Sequence, residues 1–175
     1  MTTIPSEKVQ SRPNDAWETS RKKGLYRRLI LRRFDGRVYL NRWGIGHDRV
    51  GGILLHRMDA PDPGIDTHDH PWFFVSLILK GGYIEYRSTN RESEEQTRVV
   101  RLRWSIRTMR LDECHTITEL IHDQSWSLVL RGPRRRQWGF YPPEGYMNES
   151  KYDGTVRAGR RDLWSDQRVS ERPWS

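Results

Sequence analysis

Between Tyr26 and Tyr141 the chain is cut into short apolar runs, each closed by a turn signal. That punctuation leaves little room for anything but strands. Leu29, Ile30 and Leu31 lead to Phe34, and Asp35-Gly36 then turns the chain into Val38-Tyr39-Leu40. Asp-Gly between apolar runs is a strong hairpin signal. Val50 to Met58 follows, then a Pro/Asp/Gly loop over 59–64, the dense run Trp72 to Leu79, the turn Lys80-Gly81-Gly82 and the return Tyr83 to Arg87. Residues 88–96 read as a charged hairpin tip. Thr97 to Arg110, His115 to Ile121, Trp126 to Arg131 and Gln137 to Tyr141 bring the set to about ten strands, with Gly132-Pro133 as a further turn. Helical periodicity is nearly absent, so the pattern predicts an all-β barrel or sandwich.

A length of 175 residues suits one domain with a real core. Hydrophobic residues make up only 34%, and eight Trp, seven Tyr and four Phe supply core volume that the aliphatic residues do not. Residues 1–24, with Pro5, Pro13 and Arg21-Lys22-Lys23-Gly24, read as a flexible basic lead-in, with a short helix starting near Asn14-Asp15. Residues 25–145 form the predicted barrel. The polar tail 146–175 keeps Trp164 and Trp174, which are expected to pack on the barrel's exterior.

Several function classes fall away on composition. No apolar run approaches the ~20 residues of a membrane span, and Met1-Thr2-Thr3-Ile4-Pro5 opens no signal-peptide core. Cys114 is the only cysteine, which rules out an intrachain disulfide and a thiolate zinc cluster. The expectation is a protein of the reducing cytoplasm, or of the host's cytoplasm if a phage encodes it. The net charge is +8, carried mostly by Arg. It suggests an anionic partner such as nucleic acid, a nucleotide or a phosphorylated metabolite. The arginines spread along the whole chain, however, and a merely solvated surface explains them as well.

Chemistry concentrates at His68-Asp69-His70, between the loop and the apolar strand. Strand residues two apart project to one face about 6.5–7 Å apart, so two imidazoles there can close on one ion. A third histidine must come from a neighbouring strand, and His115 is the best candidate. Three neutral imidazoles suit Fe, Zn, Ni or Cu and leave open positions on the ion, which is the mark of a catalytic rather than a structural site. Six histidines make a chance His-x-His common, so the flanking loop and strand carry the argument. His56, in a core-like strand, reads as a packing histidine, and His47 and His122 as loop residues. Asp66, Asp69 and Glu113 lie near the ligands in sequence, but Asp69 and Cys114 alternate away from them. For substrate, Arg57, Arg131 and Arg136 are strand-associated cations able to grip a carboxylate or phosphate. Arg134-Arg135-Arg136 itself reads as a solvated turn. Trp72, Phe74, Trp126, Trp138 and Phe140 either wall a pocket or fill the core.

The run from Gly64 through His68-Asp69-His70, with Gly81-Gly82-Tyr83-Ile84-Glu85 after it, resembles the first motif of the cupin superfamily. Arg110-Leu111-Asp112-Glu113-Cys114-His115 resembles the second, reduced to its histidine. His68-Asp69-His70-Pro71-Trp72, Leu79 to Glu85, and Gly132-Pro133 through Trp138-Gly139-Phe140 are similar to uncharacterised cupin-like proteins of bacteria and their phages. The resemblance spans roughly residues 26–145. It implies a double-stranded β-helix, the jelly-roll barrel, with a metal inside. One position departs from the pattern: where cupins place a glutamate ligand, this chain has Phe74 and Val75. Either the site is purely three-histidine, similar to the thiol dioxygenases of the superfamily, or Glu85 supplies a carboxylate as a fourth ligand or from behind a histidine, or the barrel holds no metal. An inward Glu85 brings Tyr83 inside with it, and these two are the candidate catalytic residues. The resemblance implies a metal-dependent enzyme, with Fe(II) favoured over Zn, Ni or Mn, acting as a dioxygenase or hydroxylase on a small anionic substrate, with a homodimer as the expected assembly. The alternatives are a non-catalytic module binding nucleic acid or nucleotide, and a phage accessory protein.

Overall fold

A computed structural model describes residues 17–23, 25–32, 37–64, 66–89, 95–149 and 151–152. Among them are thirteen strands and no helix. In chain order these are β1 (Trp17–Lys23), β2 (Tyr26–Arg32), β3 (Val38–His47), β4 (Gly51–Met58), β5 (Thr67–His68), β6 (Phe74–Lys80) and β7 (Gly82–Ser88), then β8 (Thr97–Leu102), β9 (Ile106–Met109), β10 (Cys114–Leu120), β11 (Ser125–Arg131), β12 (Gly139–Tyr141) and β13 (Met147–Asn148). They form two antiparallel sheets, one ordered β1-β2-β3-β4-β11-β6-β9 and the other β13-β12-β5-β10-β7-β8.

That order defines the fold. β4 pairs with β11, β5 with β10, β6 with β9 and β7 with β8. The chain therefore runs out along β4 to β7 and back along β8 to β11, as one long antiparallel ribbon rolled into two facing sheets. This is the jelly roll of the cupin-type double-stranded β-helix, as the sequence led us to expect. β1 to β3 widen the first sheet, and β12 and β13 widen the second.

Two stretches differ from the sequence reading. Residues 17–23, read as part of the lead-in, pair residue for residue with β2, from Trp17↔Arg32 to Lys23↔Tyr26. Thr97 to Arg110, read as one run, is two strands belonging to different sheets. The break is at Trp104, whose φ of 70° is the one positive value among the described non-glycine residues. Ser105 closes this turn, accepting the Leu102 N–H on its hydroxyl and donating its own N–H to the Leu102 carbonyl. The proposed helix near Asn14-Asp15, the Asp35-Gly36 turn and the tail beyond Tyr152 lie outside the described residues.

The interior is layered. Tyr39, Leu40, Met58, Ile78, Tyr83 and Ile117 form one apolar cluster, and Leu54, Phe74, Met109 and Val129 form another. On β4, Met58 belongs to the first cluster and Leu54 to the second, with His56 between them on the same face. A polar layer thus separates two apolar ones, and the cavity opens there.

Candidate metal centre

Strand pairing brings two of the histidines together, and His70, expected on the same strand as His68, lies just past the end of β5. His68 on β5 lies directly opposite His115 on β10, and Phe140 of β12 flanks His68 on its other side. His70 follows two residues on. Ring centroids are 4.6 Å apart for His68–His115 and 5.1 Å for His70–His115 and His68–His70. One nitrogen from each ring lies within 4.8 Å of the others. The Nε2 atoms of His70 and His115 are 2.9 Å apart. Two nitrogens held cis on one ion at about 2.0–2.1 Å stand about 2.9 Å apart, and a tetrahedral pair about 3.3 Å. That pair has the spacing of two donors on one divalent ion, and with His68 the three rings form a cluster that could hold one.

Glu85 stands behind this gap. It is fully buried, and its Oε2 lies 3.0 Å from His115 Nδ1. The same oxygen meets Arg107 at 2.8 Å, and Oε1 meets Arg101 at 2.9 Å. A carboxylate facing two guanidinium groups accepts, so Nδ1 of His115 carries the proton and Nε2 turns its lone pair to the gap. Of the two roles open to Glu85 in the sequence, the geometry gives the one behind the histidine. Phe74, at the position of the missing glutamate, packs edge-on against His70 with centroids 4.9 Å apart. Val75 alternates to the other face of the strand.

The electrostatics keep the imidazoles neutral. Burial is the main cause for all three, pushing His70 and His115 well below the usual histidine range and His68 below it too. The Arg107 charge adds to this at each ring, and for His68 the Asp62 carboxylate pulls the other way. Asp62 Oδ2 lies 4.0 Å from His68 Nδ1 and accepts the Ile117 N–H at 2.8 Å. Neutral imidazole is the form that binds metal.

The histidines line a cavity of ≈ 550 Å³, within the ordinary range for small-molecule sites. Tyr83, Trp72 and Arg131 line it as well, as do Phe74, Trp138 and Phe140. Tyr83 is buried, its hydroxyl is 3.5 Å from Arg107, and burial raises its pKa. Arg131 reaches Asp48 at 3.1 Å and lies over the Trp72 ring. Two of the proposed substrate arginines are engaged elsewhere. Arg57 pairs with Asp59 at 3.0 Å and lies over Trp126, which stacks on Trp43 outside the barrel. Arg136 pairs with buried Asp69 at 2.6 Å and donates to the Leu111 carbonyl. Arg134 and Arg135 expose their side chains, while their backbone N–H groups hold the turn to Asp48 and Pro71.

The neighbouring groups have structural roles. Asp69, directed away from the histidines, accepts from the Gly139 N–H at 2.9 Å and the Tyr141 hydroxyl at 2.8 Å. Asp66 accepts from Tyr152, and Glu113 pairs with Arg87. Cys114 is buried, and burial pushes its thiol up to about 12, far from a thiolate ligand. His47 and His122 are exposed.

The sequence reading missed three residues, Arg42, Asp62 and Arg107. Arg42 sits between Leu40 and Gly44 on the inward face of β3, and Arg107 alternates with the buried Met109 on β9. An arginine in phase with core residues was the available signal. His56, read as a packing histidine, accepts a hydrogen bond from Arg42 and also lines the cavity.

No protein-family model matches the chain, and no curated protein matches its sequence. Among solved structures it is similar to the iron(II) form of HppE, with 10% identity over 74% of this chain and 62% of that one, and a TM-score of 0.46. Hydroxypropylphosphonic acid epoxidase from S. wedmorenis gives 13% identity over 60% of this chain and 55% of that one, with a TM-score of 0.44. The capsular polysaccharide assembling protein CapF from Staphylococcus aureus gives 10% over 73% of this chain and 32% of that one, with a TM-score of 0.43. The chain thus spans about half to two-thirds of the first two and a third of the last. The fold assignment stands on the strand order, and likenesses of this depth add nothing about activity. No helix among the described residues is long and apolar enough to cross a membrane.

Proposed function

We propose that this chain is a metal-dependent enzyme that holds one divalent ion on His68, His70 and His115 and acts on a small anionic substrate. The observation that carries this is the 2.9 Å approach of two Nε2 atoms, one of them fixed in its tautomer by buried Glu85. Fe(II) bound there would supply redox chemistry with dioxygen, whereas Zn, Ni or Mn would supply a Lewis acid. The imidazole set by itself suits Zn, Ni or Cu as well as Fe, and Fe(II) with a dioxygenase or hydroxylase reaction is the reading put forward for test.

The chain's own residues have definable tasks. Glu85 keeps the proton on Nδ1 of His115, and Arg101 and Arg107 balance the carboxylate that does so. Phe74, Trp72, Trp138 and Phe140 narrow the cavity and exclude water from it. Tyr83 brings a neutral hydroxyl to the cavity wall, where it can donate a hydrogen bond to a bound substrate. The arginines on that wall support an anionic ligand.

Metal analysis of protein purified without added metal tests the proposal. One ion per chain is expected, lost in His68→Ala and in His115→Ala. Substoichiometric metal that neither substitution changes would sink the metalloenzyme reading. Dioxygen uptake by the Fe(II)-loaded protein but not the Zn-loaded one, in the presence of small carboxylic acids, separates redox from Lewis-acid chemistry.

A further inference from the structure

Ser76 of β6 lies directly opposite Arg107 of β9, so the two side chains project to the same face of the sheet. Both residues line the cavity that holds the histidines, and they are 4% and 3% exposed. Much of the Arg107 guanidinium is engaged. Nη1 meets the Glu85 carboxylate at 2.8 Å, and Nη2 donates to the Met109 sulfur. Glu85 therefore answers the charge of Arg107. The Nε–H, however, has no hydrogen-bond partner among the described residues, and neither has the Ser76 hydroxyl. An unpaired buried donor is costly, and two of them side by side on a cavity wall call for one acceptor.

We infer that the Ser76 hydroxyl and the Arg107 Nε–H together bind a carbonyl oxygen of a small ligand that enters the cavity beside His68, His70 and His115. The inference deepens the substrate reading above and rests on the cavity being the substrate's site, but it does not depend on which ion is bound. An arginine Nε can only donate, so the ligand atom must accept, and a carbonyl oxygen has two lone pairs, one for each donor. Because Glu85 already matches Arg107, the pair asks for an uncharged oxygen and not for an anion. The carbonyl is thus a second feature of the substrate, distinct from its anionic group. Its place follows from β6. Ser76 is two residues beyond Phe74 on the inward face, and Phe74 packs on His70 with ring centroids 4.9 Å apart. That step is roughly 7 Å along the strand, which limits the ligand to a short one.

Full-length chelator-treated protein is titrated with cyclopentanone, cyclopentanol, cyclopentanecarboxylate and cyclopentane, which share one ring, following the Nε–H resonance of Arg107. Cyclopentanone is expected to move it saturably, and cyclopentane, which has no acceptor, to leave it in place. Ser76→Ala is expected to weaken cyclopentanone roughly 3- to 10-fold. Its thermal midpoint should equal or exceed that of wild type, because a buried hydroxyl without a partner has been removed. Ser76→Cys, with a weak S–H donor, falls between and serves if the alanine variant does not fold. A lower midpoint in Ser76→Ala shows that the hydroxyl serves the fold, through Arg107, and overturns the inference. So does cyclopentanone affinity equal to wild type in both variants, or a resonance that cyclopentanone leaves in place or that cyclopentane moves as far. Tighter binding of cyclopentanol or cyclopentanecarboxylate overturns the carbonyl assignment. Metal content measured before chelation separates the two readings. Ser76-dependent cyclopentanone binding in a protein that never takes up metal leaves this inference standing and removes the metal centre, and bound metal without cyclopentanone binding does the reverse.

Discussion

Glu85 has no exposed surface, and a carboxylate is costly to bury unless hydrogen bonds and counter-charges surround it. Arg101, Arg107 and the His115 Nδ1–H do so within 3.0 Å. Glu85→Gln keeps the shape but can present its amide nitrogen to His115, which loosens the tautomer. A 10- to 100-fold loss of metal affinity is expected, read by chelator competition. An unchanged affinity would show that Glu85 does not set the ligand. Asp69 is an internal comparison, equally buried but facing away from the histidines and held by Arg136, Tyr141 and the Gly139 N–H. Asp69→Ala should cost about 3 kcal/mol of stability by denaturant unfolding, with full metal content retained. The sequence made both acids visible and turned Asp69 away from the histidines by alternation, while it left the role of Glu85 open. It hid Arg107, because an arginine on a short strand looks like surface until its neighbours across the sheets are known.

Turns govern how the ribbon rolls. Gly81 links β6 to β7 with φ at +71°, and a Cβ there would run into the Gln124 carbonyl oxygen. Gly81→Ala therefore strains the backbone and displaces the start of β11. A loss of about 1–3 kcal/mol is expected in chemical denaturation, and a loss below 0.5 kcal/mol would mean that the turn adapts freely. The Lys80-Gly81-Gly82 turn was readable because glycine pairs punctuate any strand pattern. The face that each strand buries was harder to read. On β4 and β11 both faces are apolar: Leu54 and Val129 are buried, while Ile53 and Leu130 on the other face are 53% and 51% exposed. Alternation in hydropathy is lost there, and only pairing tells inside from outside. The break at Trp104 was missed for a related reason, since nothing in Arg103-Trp104-Ser105 matches a standard turn sequence.

Four histidines, His56, His68, His70 and His115, line one cavity, and desolvation of their rings lowers each below the ordinary histidine value. Their folded pKa values lie below the unfolded one, so below about pH 6.5 the unfolded chain takes up protons that the folded chain refuses. Stability of the metal-free protein should be level above neutrality and fall as the pH drops through 6.5. Thermal unfolding at pH 7.5 and 5.5 checks this, and an equal midpoint at both would contradict it. An ion on three of these rings favours the folded form by mass action. Fe(II) or Zn should raise the midpoint at pH 7.5, a chelator should reverse the gain, and acid should abolish it.

Most of the strands and glycine turns were determined by the sequence itself, because strand period and turn chemistry are local properties of neighbouring residues. His115 could be named from sequence as a partner, but its place opposite His68 is a matter of register between strands 47 residues apart in the chain. The tertiary structure decided which arginines face the cavity. Arg57 and Arg136 found acids of their own, and Arg42 found His56. It also decided that Glu85 backs a histidine and that Phe74 fills the missing ligand's position. The reason is physical: a side chain's hydrogen-bond partners and its burial are set across the sheets, by residues far away along the chain.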